Sequence, residues 1–276
     1  MKTFPWDDKM KRMSKKLTWY GHNCFSFEYG KTVFILDPFL VEGISPISSQ
    51  DLRADYLLVS HGHSDHCFNV LEIARHTNAK IIANAEIANF FSQKGLSTES
   101  MNIGGAIYVQ VSSDPTIPLA QILAVQAPHS STTPDGSSGG NSLGFLISFS
   151  QNGNPISPNQ APIRPMAQTL ACSSAFTIYF ACDTGYFSEM EWLGKLGIDL
   201  AILPIGDRYT MGPSMSIDAI LALKPKYVIP SHYNTWPTIT QNTDHWSNAV
   251  QRYTQAKAIV LSLGQRIQEV EDETWQ

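Results

Sequence analysis

The stretch His61-Gly62-His63-Ser64-Asp65-His66 decides how this sequence reads. It sets three imidazoles and a carboxylate within one short segment. An apolar run over 55–60 precedes it and reads as a strand, and a helical pattern comes after it near 70–76. Side chains that emerge together at a strand end converge on a small volume. Imidazole nitrogen with carboxylate oxygen is a donor set for Zn²⁺ and similar first-row metals. A polar turn of solvated histidines is the plain alternative, and three residues further along the chain argue against it.

These three candidates share one placement, just past the end of an apolar run. His129 follows 122–126, Asp183 follows 176–182, and His232 follows 227–230. Strand ends aimed at one edge of a sheet bring distant residues together, as clefts in layered α/β folds require. Singly, each would be an ordinary loop residue; as an ordered set behind His61–His66 they read as metal ligands.

The surrounding pattern is mixed α/β. Runs over 17–20, 24–29 and 32–36 are β-rich and separated by Gly21 and Gly30. Further strands are expected at 81–83, 107–111, 122–126, 143–149, 200–204, 227–230 and 258–262. Helices are expected at 85–93, 189–196, 217–223 with Ser216 as N-cap, and from a cap at Asp244 to Lys257. Strand-rich halves that each end in helices predict two packed sheets with helices outside, a four-layer αββα sandwich. Residues 1–16 read as an N-terminal arm and 17–276 as one domain. The Pro-, Asn-, Gln- and Ser-rich stretch over 150–174 reads as an exposed insertion.

Composition narrows the function. A chain of 276 residues with 43% hydrophobic and 16% charged residues can build a substantial core. Its net charge of −5 supplies no global basic field for nucleic acid or an anionic membrane. No apolar run approaches the ~20 residues that span a bilayer. The charged N-terminus lacks a secretory pattern, and the four cysteines (24, 67, 172 and 182) form no CxxC pair. A cytoplasmic protein with reduced thiols is expected.

The ordered set resembles the metallo-β-lactamase superfamily, and most closely the UPF0173 metal-dependent hydrolases, related to ascorbate-phosphate lactonases and N-acyl-phosphatidylethanolamine phospholipase D. Supporting stretches are Gly21-His22-Asn23-Cys24, Leu36-Asp37-Pro38-Phe39, Met101-Asn102-Ile103-Gly104-Gly105, Asp183-Thr184-Gly185, Thr210-Met211-Gly212-Pro213 and His232-Tyr233-Asn234-Thr235. The resemblance implies that His61, His63 and His129 hold one metal, that Asp65, His66 and His232 hold a second, and that Asp183 bridges them. A shared anionic ligand suits two neighbouring cations. Aspartate at 183 argues against the true β-lactamases, which use cysteine there, and histidine at 63, where flavodiiron proteins carry glutamate, favours hydrolysis over redox chemistry. Cys182 is expected to point away from the site as core packing.

The resemblance further implies that Asp37 orients the histidine loop and that His22 lines the pocket. Asn102, Ser130, Ser131, Thr210 and Asn234 are expected around a polar, cation-poor pocket. The expected cofactors are two divalent ions, Zn first, with Mn, Fe or Ni also credible. The expected reaction is attack by a metal-bridging hydroxide, oriented by Asp65 and Asp183, on a small ester, lactone or phosphodiester. A small-molecule substrate is expected, with no nucleic-acid or membrane partner; homo-oligomerisation stays open. The alternatives are an RNase Z-like nuclease and a metal-binding sensor or scaffold without turnover.

Overall fold

The computed structural model describes residues 13–111, 119–151, 154, 156–157, 163–270 and 274–276. The chain opens as an antiparallel meander of β1 (Lys15–Gly21), β2 (Cys24–Tyr29) and β3 (Thr32–Leu36). It then adds β4 (Tyr56–Leu58), the short helix α1 (Ser64–Cys67), α2 (Val70–Thr77), β5 (Lys80–Asn84), α3 (Ala85–Ser92) and β6 (Thr98–Met101). Strands β3 to β6 are parallel, so each connection must cross over the sheet; α1 and α2 lie in the β4–β5 connection and α3 in the β5–β6 connection.

The second half repeats the plan. It comprises β7 (Ala106–Val109), β8 (Ala120–Gln126), β9 (Leu143–Phe149), α4 (Met166–Cys172), β10 (Phe176–Phe180), α5 (Met190–Gly194) and β11 (Leu200–Pro204). After these come α6 (Pro213–Leu223), β12 (Tyr227–Ser231), α7 (Thr243–Tyr253) and β13 (Lys257–Ala258). Strands β7 to β10 run antiparallel and β10 to β13 parallel. The chain closes with β14 (Arg266–Val270) and β15 (Thr274–Trp275), which return to the first sheet beside β1.

Alternation along the strands explains the layering. On β3, Phe34 and Leu36 face the other sheet, while Val33 and Ile35 pack with Ile73, Ile87 and Phe91 of α2 and α3. Aromatic rings fill the space between the sheets: Phe149 meets Tyr29 at 4.2 Å, Phe27 at 5.4 Å and Phe34 at 6.0 Å between ring centres. Helices α5, α6 and α7 cover the second sheet with Leu193, Ile220, Trp246 and Val250. The four-layer αββα expectation matches this arrangement.

Several local expectations are corrected. Helix α6 starts at Pro213 with Gly212 as its N-cap, because proline fixes the first turn. Ser216 lies inside that helix, where its hydroxyl donates to the Pro213 carbonyl and accepts from Trp246 Nε1 at 2.9 Å. Asn242, not Asp244, caps α7 by accepting from the His245 amide. Strand pairing begins at Lys15, inside the expected arm; residues 1–12 lie outside the described residues. The stretch 150–174 is not wholly exposed. In its described part Ile156 and Leu170 are buried in the core, and α4 forms behind Pro165, although Ile163 is 95% exposed. One apolar anchor per short helix leaves too weak a period to read. Residues 152–153, 155 and 158–162 lie outside the described residues.

Candidate metal centre

The candidate residues leave the sheets at one edge. Within the first sheet β1 and β3 run the same way, and β4 follows β3 in parallel; within the second, β8, β10 and β12 likewise share a direction. Their C-terminal ends deliver His22, Asp37, His61, His129, Asp183 and His232. Four residues at these ends adopt left-handed backbone: His22 (φ 52), Asp37 (φ 42), Cys182 (φ 59) and His232 (φ 53). Such conformations cost non-glycine residues on the order of 1–3 kcal/mol each, and they concentrate at functional sites.

Three overlapping groups of donor atoms result: Asp37 with His61 and His66, and two clusters to which those two histidines also belong. His61, His63 and His129 bring their ring nitrogens within 4.8 Å of one another, and so do the donors of His22, Asp65, His66 and His232. Asp183 sits between the clusters. Its Oδ2 lies 3.1 Å from His232 Nε2, 3.2 Å from His66 Nε2 and 3.6 Å from His129 Nε2. Its Oδ1 accepts a 2.7 Å hydrogen bond from Asn23 Nδ2.

The rings are held from behind. Asp37 is fully buried, and its Oδ2 accepts from His66 Nδ1 at 2.8 Å and from Ser60 Oγ at 2.7 Å, while Oδ1 takes the Ser60 amide. With its hydrogen committed to Asp37, the Ser60 hydroxyl accepts from His61 Nδ1 at 2.9 Å. In the neutral form of each ring the inward Nε2 is thereby the lone-pair nitrogen, the form in which His61 and His66 could bind a metal. Buried His66 Nε2 has no well-aligned hydrogen-bond partner, although Asp183 Oδ2 stands 3.2 Å away. A cation placed there would satisfy it, so the residues fit divalent metal.

The sequence profile of a beta-lactamase superfamily domain matches residues 35–233. A UPF0173 metal-dependent hydrolase of Desulforamulus reducens is 36% identical over 257 residues, covering 91% of this chain and 98% of the relative. The chain belongs to the UPF0173 metal-dependent hydrolases of the beta-lactamase superfamily. A second such hydrolase, from Methanosarcina mazei, is 33% identical over 92% of this chain and 98% of its own length. The solved structure of Igni18, a metallo hydrolase from the hyperthermophilic archaeon Ignicoccus hospitalis KIN4/I, matches with a TM-score of 0.75 at 30% identity. That match covers 92% of this chain and 98% of the other.

In this UPF0173 hydrolase, burial and mutual charge set the protonation states. Burial drives His61 well below the usual histidine range and His129 down as well, and it takes His22 to about 4 despite the hydrogen bond to Asp65. Burial opposes charge on Asp183 and Asp65. The neighbouring His66 and His232 nevertheless hold Asp183 well below the carboxylate range, and the His22 hydrogen bond with His66 holds Asp65 down. Burial also opposes charge on His66, but Asp183 and Asp37 overcome it and raise its basicity well above normal.

The loop itself is tightly fitted. A methyl group on Gly62 would lie 1.9 Å from the Thr132 carbonyl oxygen, so only glycine fits there. The Cys67 thiol donates to the Gly62 carbonyl, and burial pushes that thiol up to about 12. Cys182 is buried as expected, but it does not point away from the site: its backbone is left-handed rather than extended, and its thiol interacts with Ser60 and Asp37.

A cleft of about 770 Å³ has His63, Ser64 and Asp65 in its wall, together with Phe68, Leu71, Phe90, Lys94 and the 132–136 loop. On this side of the site α2, α3 and the residues beside them supply an apolar flank and an ammonium group. Asn102, Thr210 and Asn234 do not line it. The Asn102 carbonyl closes a turn with Gly105, the Thr210 hydroxyl donates to the Met211 carbonyl, and Asn234 Oδ1 accepts from the Gln241 amide. Ser131 Oγ accepts from the Gly62 amide, and the Ser130 carbonyl accepts from Ser142 Oγ, so both brace the site's loops. Another cavity, about 660 Å³ between α5 and α6, contains none of the histidines. Sequence reasoning missed Ser60, Asn23 and Thr235. Asn23 and Thr235 lie inside family-like stretches, but nothing in their spacing marks a role.

Proposed function

We propose that this hydrolase holds two divalent ions, Zn²⁺ foremost, and cleaves a small ester, lactone or phosphodiester. The carrying observation is Asp183 Oδ2, which stands within 3.6 Å of nitrogens from both histidine clusters. In this reading His61, His63 and His129 hold one ion, Asp65, His66 and His232 hold the other, and Asp183 is shared. Bound there, the metals would supply an activated water and polarise the scissile carbonyl or phosphoryl oxygen. Asn23 fixes the Asp183 carboxylate, and Asp37 fixes the His66 ring, so both donors are oriented before substrate arrives. Asp65, 21% exposed and beside the cleft, is placed to accept a proton from the attacking water. The Phe68, Leu71 and Phe90 flank suits an apolar group on the substrate, and Lys94 an anionic one.

The test is turnover of metal-quantified protein on panels of esters, lactones and activated phosphodiesters, including an ester series of rising chain length. Metal-dependent hydrolysis that strengthens with moderate chain length supports the reading. Strongly salt-sensitive cleavage of pre-tRNA, abolished by His66→Ala, with none of these small substrates turned over, would replace it with a nuclease.

A further inference from the structure

We propose that His22 is a positioning residue: through Nε2 it aims the Asp65 carboxylate at the second metal, and Thr235 fixes its tautomer. The inference rests on the reading of Asp65 as a metal ligand.

His22 Nε2 lies 3.0 Å from Asp65 Oδ2, and Nδ1 lies 2.8 Å from Thr235 Oγ1. An ionised carboxylate offers only acceptors, so Nε2 carries the hydrogen. In the neutral ring Nδ1 is then the lone-pair nitrogen, and it accepts the Thr235 hydroxyl hydrogen. Among the described residues this is the one hydrogen bond that reaches the Asp65 side chain. Asp65 stands on a helix of four residues with its side chain 21% exposed, and its other polar neighbours, His66 Nε2 at 3.7 Å and His232 Nε2 at 4.0 Å, stand beyond hydrogen-bond distance of the same oxygen.

The imidazole itself cannot turn. It is 1% exposed and packs against His232 at 4.1 Å, Trp236 at 4.9 Å and Phe39 at 5.6 Å between ring centres. Its carbonyl accepts from Trp19 Nε1 at 3.0 Å and from the His232 amide at 3.2 Å. That clasp holds the left-handed turn at φ 52. The loop after β12 therefore contributes twice: His232 to the metal cluster and Thr235 to the residue that orients its neighbour.

The competing possibility is that His22 is itself a ligand, since its donor atom falls inside the second cluster. Zn²⁺ affinity by chelator competition, metal content, and the visible spectrum of Co²⁺-loaded protein separate the two. We expect His22→Ala to keep wild-type stoichiometry at saturating metal but to bind the second ion about tenfold to a hundredfold less tightly. His22→Gln, whose amide can still donate to Asp65, should recover most of that loss with the wild-type cobalt spectrum. Thr235→Val should move affinity in the same direction by less, and it serves as the independent arm if His22→Ala folds poorly. Outright loss of one metal in both His22 variants, with a changed cobalt spectrum and Thr235→Val unaffected, would overturn the proposal in favour of a ligand. Wild-type affinity in His22→Ala would overturn it as well. Asp65→Ala separates the failures. If it loses affinity while His22→Ala does not, only the positioning role falls; if it binds like wild-type, the metal assignment of Asp65 falls with it.

Discussion

Asp37 Oδ2 accepts the Nδ1 hydrogen of His66 at 2.8 Å with both side chains completely buried, and the same carboxylate holds Ser60, which in turn holds His61. One residue thus fixes a ring in each of the two histidine clusters. Asp37→Asn keeps the shape but weakens the acceptor shared by Ser60 and His66. We expect it to lower metal affinity about tenfold to a hundredfold, read by chelator competition. Affinity equal to wild-type would show that the rings need no such partner.

Metal binding should strengthen as pH rises. Burial opposes the charge on His66, but Asp183 and Asp37 raise its basicity well above normal, so in the metal-free chain it carries a proton at neutral pH. A metal must expel that proton, and expulsion is harder at lower pH. Affinity should therefore fall by about tenfold per pH unit, for one proton, between about pH 8 and 6. Calorimetry in buffers of different ionisation enthalpy would register the released proton; pH-independent affinity would contradict the assignment of His66.

Gly62→Ala places a methyl group against the Thr132 carbonyl, which is backbone and cannot swing aside. We expect a loss of roughly 1–3 kcal/mol in denaturant unfolding of the metal-free protein, together with weaker metal binding. Unchanged stability would mean that the loop and residue 132 separate freely.

Much of this was legible in the sequence, and the limits have physical causes. His61–His66 could be read because ligand types are rare and crowded there. His129, Asp183 and His232 could be read because apolar strands announce their own ends. The bend that aims them could not: His22, Asp37 and His232 are not glycine, so no residue type marked their left-handed backbone. Asp37's link to His66 joins residues 29 apart and appears only when β3 and β4 pair. Strand β6, Thr98–Met101, escaped because its exposed Ser100 and half-buried Thr98 and Glu99 break the apolar pattern of a sheet edge.

The stretch 150–174 gives a packing test. Leu170 is 2% exposed and belongs to the main core, so Leu170→Ala should cost about 2–5 kcal/mol in chemical denaturation. A change within about 0.5 kcal/mol, as for ordinary surface substitutions, would return α4 to the exposed insertion that its composition suggests.

Two metal positions joined by Asp183 are the central claim, and elemental analysis of reconstituted protein tests it most directly. Wild-type chain should hold two divalent ions, with one remaining in His63→Ala and one in His232→Ala. Wild-type protein that binds no transition metal after reconstitution, or variants that both retain two, would contradict it.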